Sequence, residues 1–260
     1  MKIVKHKELR TFVEEKLLEG RSPQSIAGRV TKRMKYLPSI STDSIRRFLK
    51  SVYGRKIESK RNELLKKQKR RQKRRRTKKL TDRTFIEKRP KIIEKRGRVG
   101  DTEADFVVSG KSGRGYLLTV VDRKTRRSFI EKVLPVTIEE MEKAFLKIKE
   151  RFPEMCTVTT DNDLLFANHK RLETLLSVKI YFCHPYHSWE KGAIENVNGE
   201  IRKDIPKGSD LSKYSSSFLK KLEIKLNDRY LECLDFFTPQ EMLDRYRKRK
   251  TAAVKRRRKK

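Results

Sequence analysis

The sequence predicts an α/β fold: a mixed sheet flanked by helices, preceded by a small helical domain and a basic linker. Three observations predict it. Between residues 98 and 247, three strand-like runs come in succession, followed by helix, strand, helix and strand, the order of an α/β layer structure. Residues 1–56 are helical in pattern. Residues 57–97, and again 248–260, are dominated by Lys and Arg.

In the helical segment, Leu9, Phe12, Val13 and Leu17 recur at helix spacing, and Gly20 is a stop. Ser22-Pro23 supplies an N-cap followed by proline at the first helical position, with Ile26, Val30 and Met34 on one face. Ser41 or Thr42 caps a third helix with Ile45, Phe48, Leu49 and Val52 inward. Its outward side carries Arg46, Arg47 and Lys50. That is the pattern of a DNA-reading helix, and equally of a bundle with a solvated basic face.

From Lys66 to Lys79, 11 of 14 residues are basic and none is acidic. Self-repulsion keeps such a run extended or loosely helical until it meets phosphate. Its contacts then give salt-dependent, sequence-independent affinity.

The core begins with an alternating run at Glu103–Val108. Tyr116–Val121 reads as a buried strand, followed by the turn Asp122-Arg123-Lys124-Thr125 and a hairpin partner at Ser128–Leu134. Thr137–Arg151 is an amphipathic helix with Met141, Ala144, Phe145 and Ile148 on one face. Strands follow at Cys156–Thr160 and Val178–Cys183, with a short helix at Lys170–Leu176 between them. Helices are then expected at Trp189–Lys203 and Ser215–Glu232, and a last one starts at Thr238-Pro239. The tail Arg245–Lys260 holds 11 basic residues in 16 and is expected to be disordered, as a second polyanion contact.

Lys and Arg number 69 against 34 for Asp and Glu, a net charge of +35. Charge this large works against compaction unless a polyanion shares it, which favours a nucleic-acid partner. No stretch approaches the ~20 apolar residues of a membrane-spanning helix. Cys156, Cys183 and Cys233 show no ligand or redox spacing, and the first two, in apolar runs, are expected in the core of a protein from a reducing compartment.

Two acids stand out. Asp161 closes a strand in Thr159-Thr160-Asp161-Asn162, and Glu195 lies in the Trp189–Lys203 helix. On that helix Ile194, Val197 and Ile201 share one face, while Glu195, Asn198, Gly199 and Arg202 share another. Gly199 weakens the helix by about 1 kcal/mol against Ala and leaves room for a DNA backbone. A third carboxylate comes from Asp101, Asp105 or Asp122, of which Asp122 suits a turn. Carboxylates on separate elements hold divalent cations, and in so basic a chain the matching substrate is a phosphodiester. His184 and His187 either touch the substrate strand or serve structure ahead of the helix, and Trp189 is expected to pack at the helix start.

The stretches Tyr116–Arg126, Thr159–Asn162, Phe166–His169, His184–Gly199 (H-P-Y-H-S-W-E-K-G-A-I-E-N-V-N-G), Pro206-Lys207-Gly208 and Glu19–Arg29 resemble transposases of the bacterial insertion-sequence family numbered thirty. The resemblance covers nearly the whole chain. It implies a ribonuclease-H-like DDE core that cleaves and transfers DNA strands. The family's second Asp and its Glu are separated by 33 residues, as are Asp161 and Glu195. Its first Asp aligns with Asp105. Asp105, Asp161 and Glu195 are thereby implied as catalytic acids and ligands of two Mg²⁺ or Mn²⁺ ions. Lys191, Arg202 and Lys203 on the Glu195 helix are expected DNA contacts beside Arg46, Arg47 and Lys50. Double-stranded DNA, a homodimer or higher multimer, and a bacterial cytoplasm with nucleoid association follow from the same resemblance.

The chain departs from the family at three points. The family's additional N-terminal helix-turn-helix has no counterpart here, Thr102 replaces a tryptophan, and Asp163 and Leu165 replace a Gly and a Glu after Asp-Asn. The alternative is a truncated or domesticated copy that binds DNA without cutting it.

Overall fold

The computed structural model describes residues 1–66, 82–111, 113–185 and 187–258. Most of the basic run expected at Lys66–Lys79 lies outside the described residues. The chain divides into two compact units, Met1–Arg71 with Asp228–Lys260, and Gln72–Asn227.

The first unit holds α1 (Lys2–Lys5), α2 (Lys7–Leu18), α3 (Pro23–Arg33), α4 (Thr42–Lys50) and α5 (Arg55–Lys66). The three helices expected from the sequence are α2, α3 and α4. Ser22 Oγ accepts from Ser25 N (3.1 Å), and Ser41 Oγ from Ser44 N (3.1 Å), so serine caps both later helices. Leu9, Val13, Leu17, Ile26, Val30, Ile45, Phe48 and Leu49 form one buried core. Full burial stabilises each such side chain by roughly 1.5–3 kcal/mol. Val52, expected inward, is 71% exposed, because α4 ends at Lys50 and the chain turns there.

The second unit is built on a five-stranded sheet of order β3-β2-β1-β4-β5. Its strands are β1 (Asp101–Val108), β2 (Tyr116–Asp122), β3 (Ser128–Val133), β4 (Thr157–Thr160) and β5 (Lys179–Phe182). β1, β2 and β3 are antiparallel neighbours, whereas β4 runs parallel to β1 and to β5. This is the mixed sheet expected. Its helices are α6 (Lys91–Glu94), α7 (Ile138–Arg151), α8 (His169–Leu176), α9 (Gly192–Asp204) and α10 (Ser216–Asn227). Alternation along the strands sorts the faces. Val107, Leu117 and Val121 pack under Ile194, Val197 and Ile201 of α9 and under Leu219, Leu222 and Leu226 of α10. On other strand positions, the Phe106 ring meets Phe166, which in turn meets Phe145 of α7 and Phe182 of β5.

Both outer strands have backbone donors satisfied from outside the sheet. Glu223 Oε2 accepts from Ile130 N (2.8 Å) and Asn227 Oδ1 from Ser128 N (2.7 Å), so α10 side chains satisfy donors of β3. Phe85 bridges to Phe182 of β5, with Phe182 N donating to Thr84 O (2.9 Å). Residues 82–97, read from composition as part of a linker, therefore include a segment built into the sheet unit, with Ile86 and Ile93 buried.

The expected Ser215–Glu232 helix stops at Asn227, and the chain from Asp228 onward clusters with the helical unit, where the sequence boundaries put 228–247 with the sheet. In that unit α11 (Pro239–Arg258) starts with a reciprocal cap: Thr238 Oγ1 accepts from Glu241 N (3.1 Å) and Glu241 accepts from Thr238 N (2.8 Å). Arg29 forks onto the Glu241 carboxylate at 3.0 and 2.8 Å. A Cβ at Gly28 would come 2.1 Å from the Phe236 ring, so only glycine admits this contact. The tail expected to be disordered is helical as far as Arg258, because its alanine and long straight-chain residues favour the helix. Cys183 is buried, but Cys156, expected in the core, is exposed just ahead of β4.

Candidate active site

The parallel pairing of β1 and β4 sets the site. Glu103 lies opposite Thr159. Two residues further along the chain are Asp105, within β1, and Asp161, just past the end of β4, so the register carries both acids to neighbouring positions. Lys191, the residue before α9, is buried between them, its Nζ 3.4 Å from Asp105 Oδ1 and 3.5 Å from Asp161 Oδ2. Sequence reasoning made Lys191 a DNA contact; the fold instead uses it as the shared counterion of the two acids.

The surroundings hold Asp105 in place. Asn198 of α9 donates to Asp105 Oδ2 (2.9 Å), and Thr119 of β2 donates to Asn198 Oδ1 (2.9 Å). Glu103, 2% exposed, accepts from Ala193 N and Ile194 N (3.0 Å each) and pairs with Arg123 at 2.8 Å. A carboxylate thereby satisfies the orphan donors at the start of α9 and complements its dipole. Glu103 was not singled out from the sequence. The signal for it is its place two residues before Asp105, on the same face of the strand.

The competitors of Asp105 are consumed elsewhere. Asp101 is fully buried, forked by Arg98 at 2.9–3.0 Å and bonded by Thr157 Oγ1 at 2.8 Å. Asp122 accepts from Gly100 N, Thr125 N and Thr125 Oγ1, each at 2.7 Å, the turn role expected.

The electrostatics show a site short of positive charge. Burial pushes the Asp105 carboxyl up despite Lys191, and the neighbouring Asp161 adds to the rise. Burial works against the charge on Lys191, but Asp105 and Asp161 outweigh it and hold its pKa above the ordinary value. Both shifts favour a bound proton. Asp161 Oδ1, Thr160 Oγ1 and Asn162 Oδ1 are shut from solvent and have no hydrogen-bond partner among the described residues. Converging carboxylates and orphaned oxygens fit the donor chemistry of a hard divalent cation, and the Lys191 ammonium supplies positive charge against the same carboxylates.

Glu195 sits one helical turn beyond Lys191, exposed in the first turn of α9. It does not join the Asp105–Lys191–Asp161 contact. Asp163, near Asp161, is pushed up by burial and by that neighbour. Arg202 bonds Val108 O at 2.9 Å and Pro206 O at 3.4 Å, and Lys203 pairs with Glu200 at 2.7 Å, both on the protein's own groups. Arg46, Arg47 and Lys50 are exposed on α4 of the other unit, with Arg46 paired to Asp43 at 3.0 Å. Trp189 is not packed at the helix start. It is 70% exposed and stacks on His187, with ring centroids 4.5 Å apart.

Against known proteins, 242 residues of the chain are 36% identical to the transposase for insertion sequence element IS4351 of Bacteroides fragilis, covering 90% of this chain and 72% of that one. The chain belongs to the IS30 family of insertion-sequence transposases. The transposase InsI for insertion sequence element IS30A of Escherichia coli K12 is 31% identical over 254 residues, 91% of this chain and 64% of its own length. The chain thus spans 72% and 64% of the length of these two relatives. No protein-family model matches it. Among solved structures, the catalytic core domain of BIV integrase aligns over 58% of this chain and 97% of its own, with a TM-score of 0.44 and 14% identity. Among the described residues, no helix of this family member is long and apolar enough to cross a membrane.

Proposed function

We propose that this chain is a DNA transposase that cleaves and transfers strands of an insertion sequence, with Asp105, Asp161 and Glu195 as its catalytic acids. The convergence of Asp105 and Asp161 on one ammonium, a helical turn from Glu195, carries the reading.

Two Mg²⁺ or Mn²⁺ ions held by these acids supply Lewis-acid stabilisation of an in-line phosphoryl transfer when bound. The chain's own groups prepare that site. Asn198, oriented by Thr119, fixes Asp105 Oδ2, while Oδ1 accepts from Phe106 N (2.9 Å) and lies 3.4 Å from Lys191 Nζ. Glu103 holds the start of α9, and with it Lys191 and Glu195, against β1. The Lys191 ammonium lies against both aspartates and competes with divalent ions for the same oxygens. Hydrolysis at the element end frees a 3′-hydroxyl. In strand transfer that hydroxyl attacks a target phosphorus and forms a new P–O bond, as the P–O3′ bond at the same phosphorus breaks and the target's 3′ oxygen leaves.

The exposed cations on α4 and the basic segments supply the sequence-independent part of the DNA affinity. Element ends and target DNA are the partners of this reading. Joining two ends calls for a homodimer or higher multimer, acting on bacterial DNA in the cytoplasm. The test is Mn²⁺-dependent nicking and strand transfer on DNA carrying the element ends, wild type against Glu195→Gln. Loss in the variant is expected, and equal activity in both overturns the assignment.

A further inference from the structure

We propose that His184, His187 and Glu190 form a second metal site, separate from the three acids, that takes one transition-metal ion of the Zn²⁺ class. The spacing His-x-x-His-x-x-Glu brings the three side chains around one turn ahead of α9. Nδ1 of His184 lies 2.9 Å and Nδ1 of His187 3.3 Å from the same oxygen, Glu190 Oε1. One ligand atom from each residue falls within 4.8 Å of the others. Tetrahedral Zn²⁺, with bonds of about 2.0–2.2 Å, needs its ligands roughly 3.4 Å apart. The two nitrogen–oxygen distances, 2.9 and 3.3 Å, fall just short of that.

An independent feature supports a ligand role. A metal-bound imidazole commonly donates its remaining N–H to a carboxylate, which sets its tautomer and orientation. His184 Nε2, on the ring edge away from Glu190, pairs with the Glu87 carboxylate from the segment alongside β5. Glu190 is oriented in turn: its Oε2 accepts from His184 N at 2.9 Å, which leaves Oε1 for the ion. The rings are braced by stacking, His184 on Phe85 (8° between planes) and His187 on Trp189 (26°).

The donor set decides the class of ion. Two imidazole nitrogens and one carboxylate suit Zn²⁺ or Co²⁺, whereas Mg²⁺ prefers oxygen ligands. His184 and His187 are 31% and 42% exposed, so the ion has access from solvent. Three protein ligands leave a fourth position for water. Bound there, the ion ties the Phe85–Glu87 segment to the residues that lead into Lys191 and α9. It acts as a positioning element for the acids, not as a reacting centre.

The test is Co²⁺ titration of the full chain in excess Mg²⁺, with Asp105→Asn/Asp161→Asn as the parent so that the acidic site is disabled. One Co²⁺ per chain, with the intense visible absorption of a tetrahedral site and displacement by Zn²⁺, is expected. His187→Ala and Glu190→Gln in that parent weaken binding at least tenfold, and Glu87→Gln weakens it about tenfold or more, as loss of an orienting carboxylate does. Circular dichroism checks that each variant folds. Absence of the tetrahedral spectrum in the folded parent, or undiminished binding in His187→Ala, overturns the proposal. Neither outcome bears on the Glu195→Gln activity test.

Discussion

Replacing Lys191 by Met tests the electrostatic heart of the acidic site. Methionine fills much of the same buried space without charge, so the change removes the shared cation of Asp105 and Asp161 and little packing. Removing one partner of a buried ion pair costs about 3–5 kcal/mol, because the other charge is left uncompensated. Asp105 is 23% exposed and Asp161 47%, so water screens a good part of the second carboxylate. A loss of about 2–3 kcal/mol in chelator follows, from the buried-pair cost discounted for that screening. The assay is urea unfolding of the full chain by circular dichroism, in EDTA and again in Mg²⁺. The chain's single tryptophan, Trp189, lies two residues from the substitution and adds a local fluorescence probe. Adding Mg²⁺ should restore most of the loss in Lys191→Met and change the wild type less, since the variant no longer has an ammonium competing for the oxygens. Acidification should also close the gap: the Asp105 carboxyl is pushed up, so it takes a proton early as pH falls and the repulsion vanishes. A variant as stable as wild type in EDTA, or a loss that Mg²⁺ leaves untouched, refutes the reasoning.

Three further outcomes are expected. Glu103→Gln leaves Arg123 buried without its anion and should cost about 3 kcal/mol; it should also lower strand cleavage although all three catalytic acids remain, and wild-type stability with wild-type cleavage would contradict the anchoring role. Gly199→Ala adds a Cβ that meets nothing within 4 Å, so it should stabilise the protein by about 1 kcal/mol through helix propensity; weakened DNA binding in a protein with a higher melting temperature is the expected pair, and unchanged binding would show that no backbone approaches there. The Asp210 carboxyl is held at about 2, first by the Arg114 N–H and then by the Ser212 hydroxyl. A folded pKa below the ordinary 3.8 contributes stability that is present above that value and lost as pH falls through about 2. The urea midpoints of wild type and Asp210→Asn should therefore converge across that window, and a constant difference between them would be the contrary result.

Much of the fold was legible because it rests on short-range geometry. Ser22-Pro23, the Ser41-Thr42 pair and Thr238-Pro239 announced helix starts through capping, and the structure has helices at all three, with Ser41 as the cap of the second. Ile194, Val197 and Ile201 announced the buried face of α9 by spacing alone. The errors fell where an element ends or meets a distant partner. Val52 was read inward because the helical pattern runs past Lys50, but the chain leaves the helix there. Trp189 was expected to be packed, yet it stands out from the surface on His187, because the turn before α9 is organised around Glu190.

The sequence by itself determined the order of strands and helices, the mixed α/β class, and the motif that makes the family recognisable. These depend on local periodicity and on residue types at fixed spacing. Only the tertiary structure decided that Lys191 is buried between Asp105 and Asp161, that Glu103 anchors α9, and that Asp101 and Asp122 are spent on Arg98, Thr157, Gly100 and Thr125. Those outcomes come from the register of parallel β1 against β4 and the docking of α9 across them. Strands far apart in sequence set that register through long-range packing, which leaves no trace in the spacing of neighbouring residues.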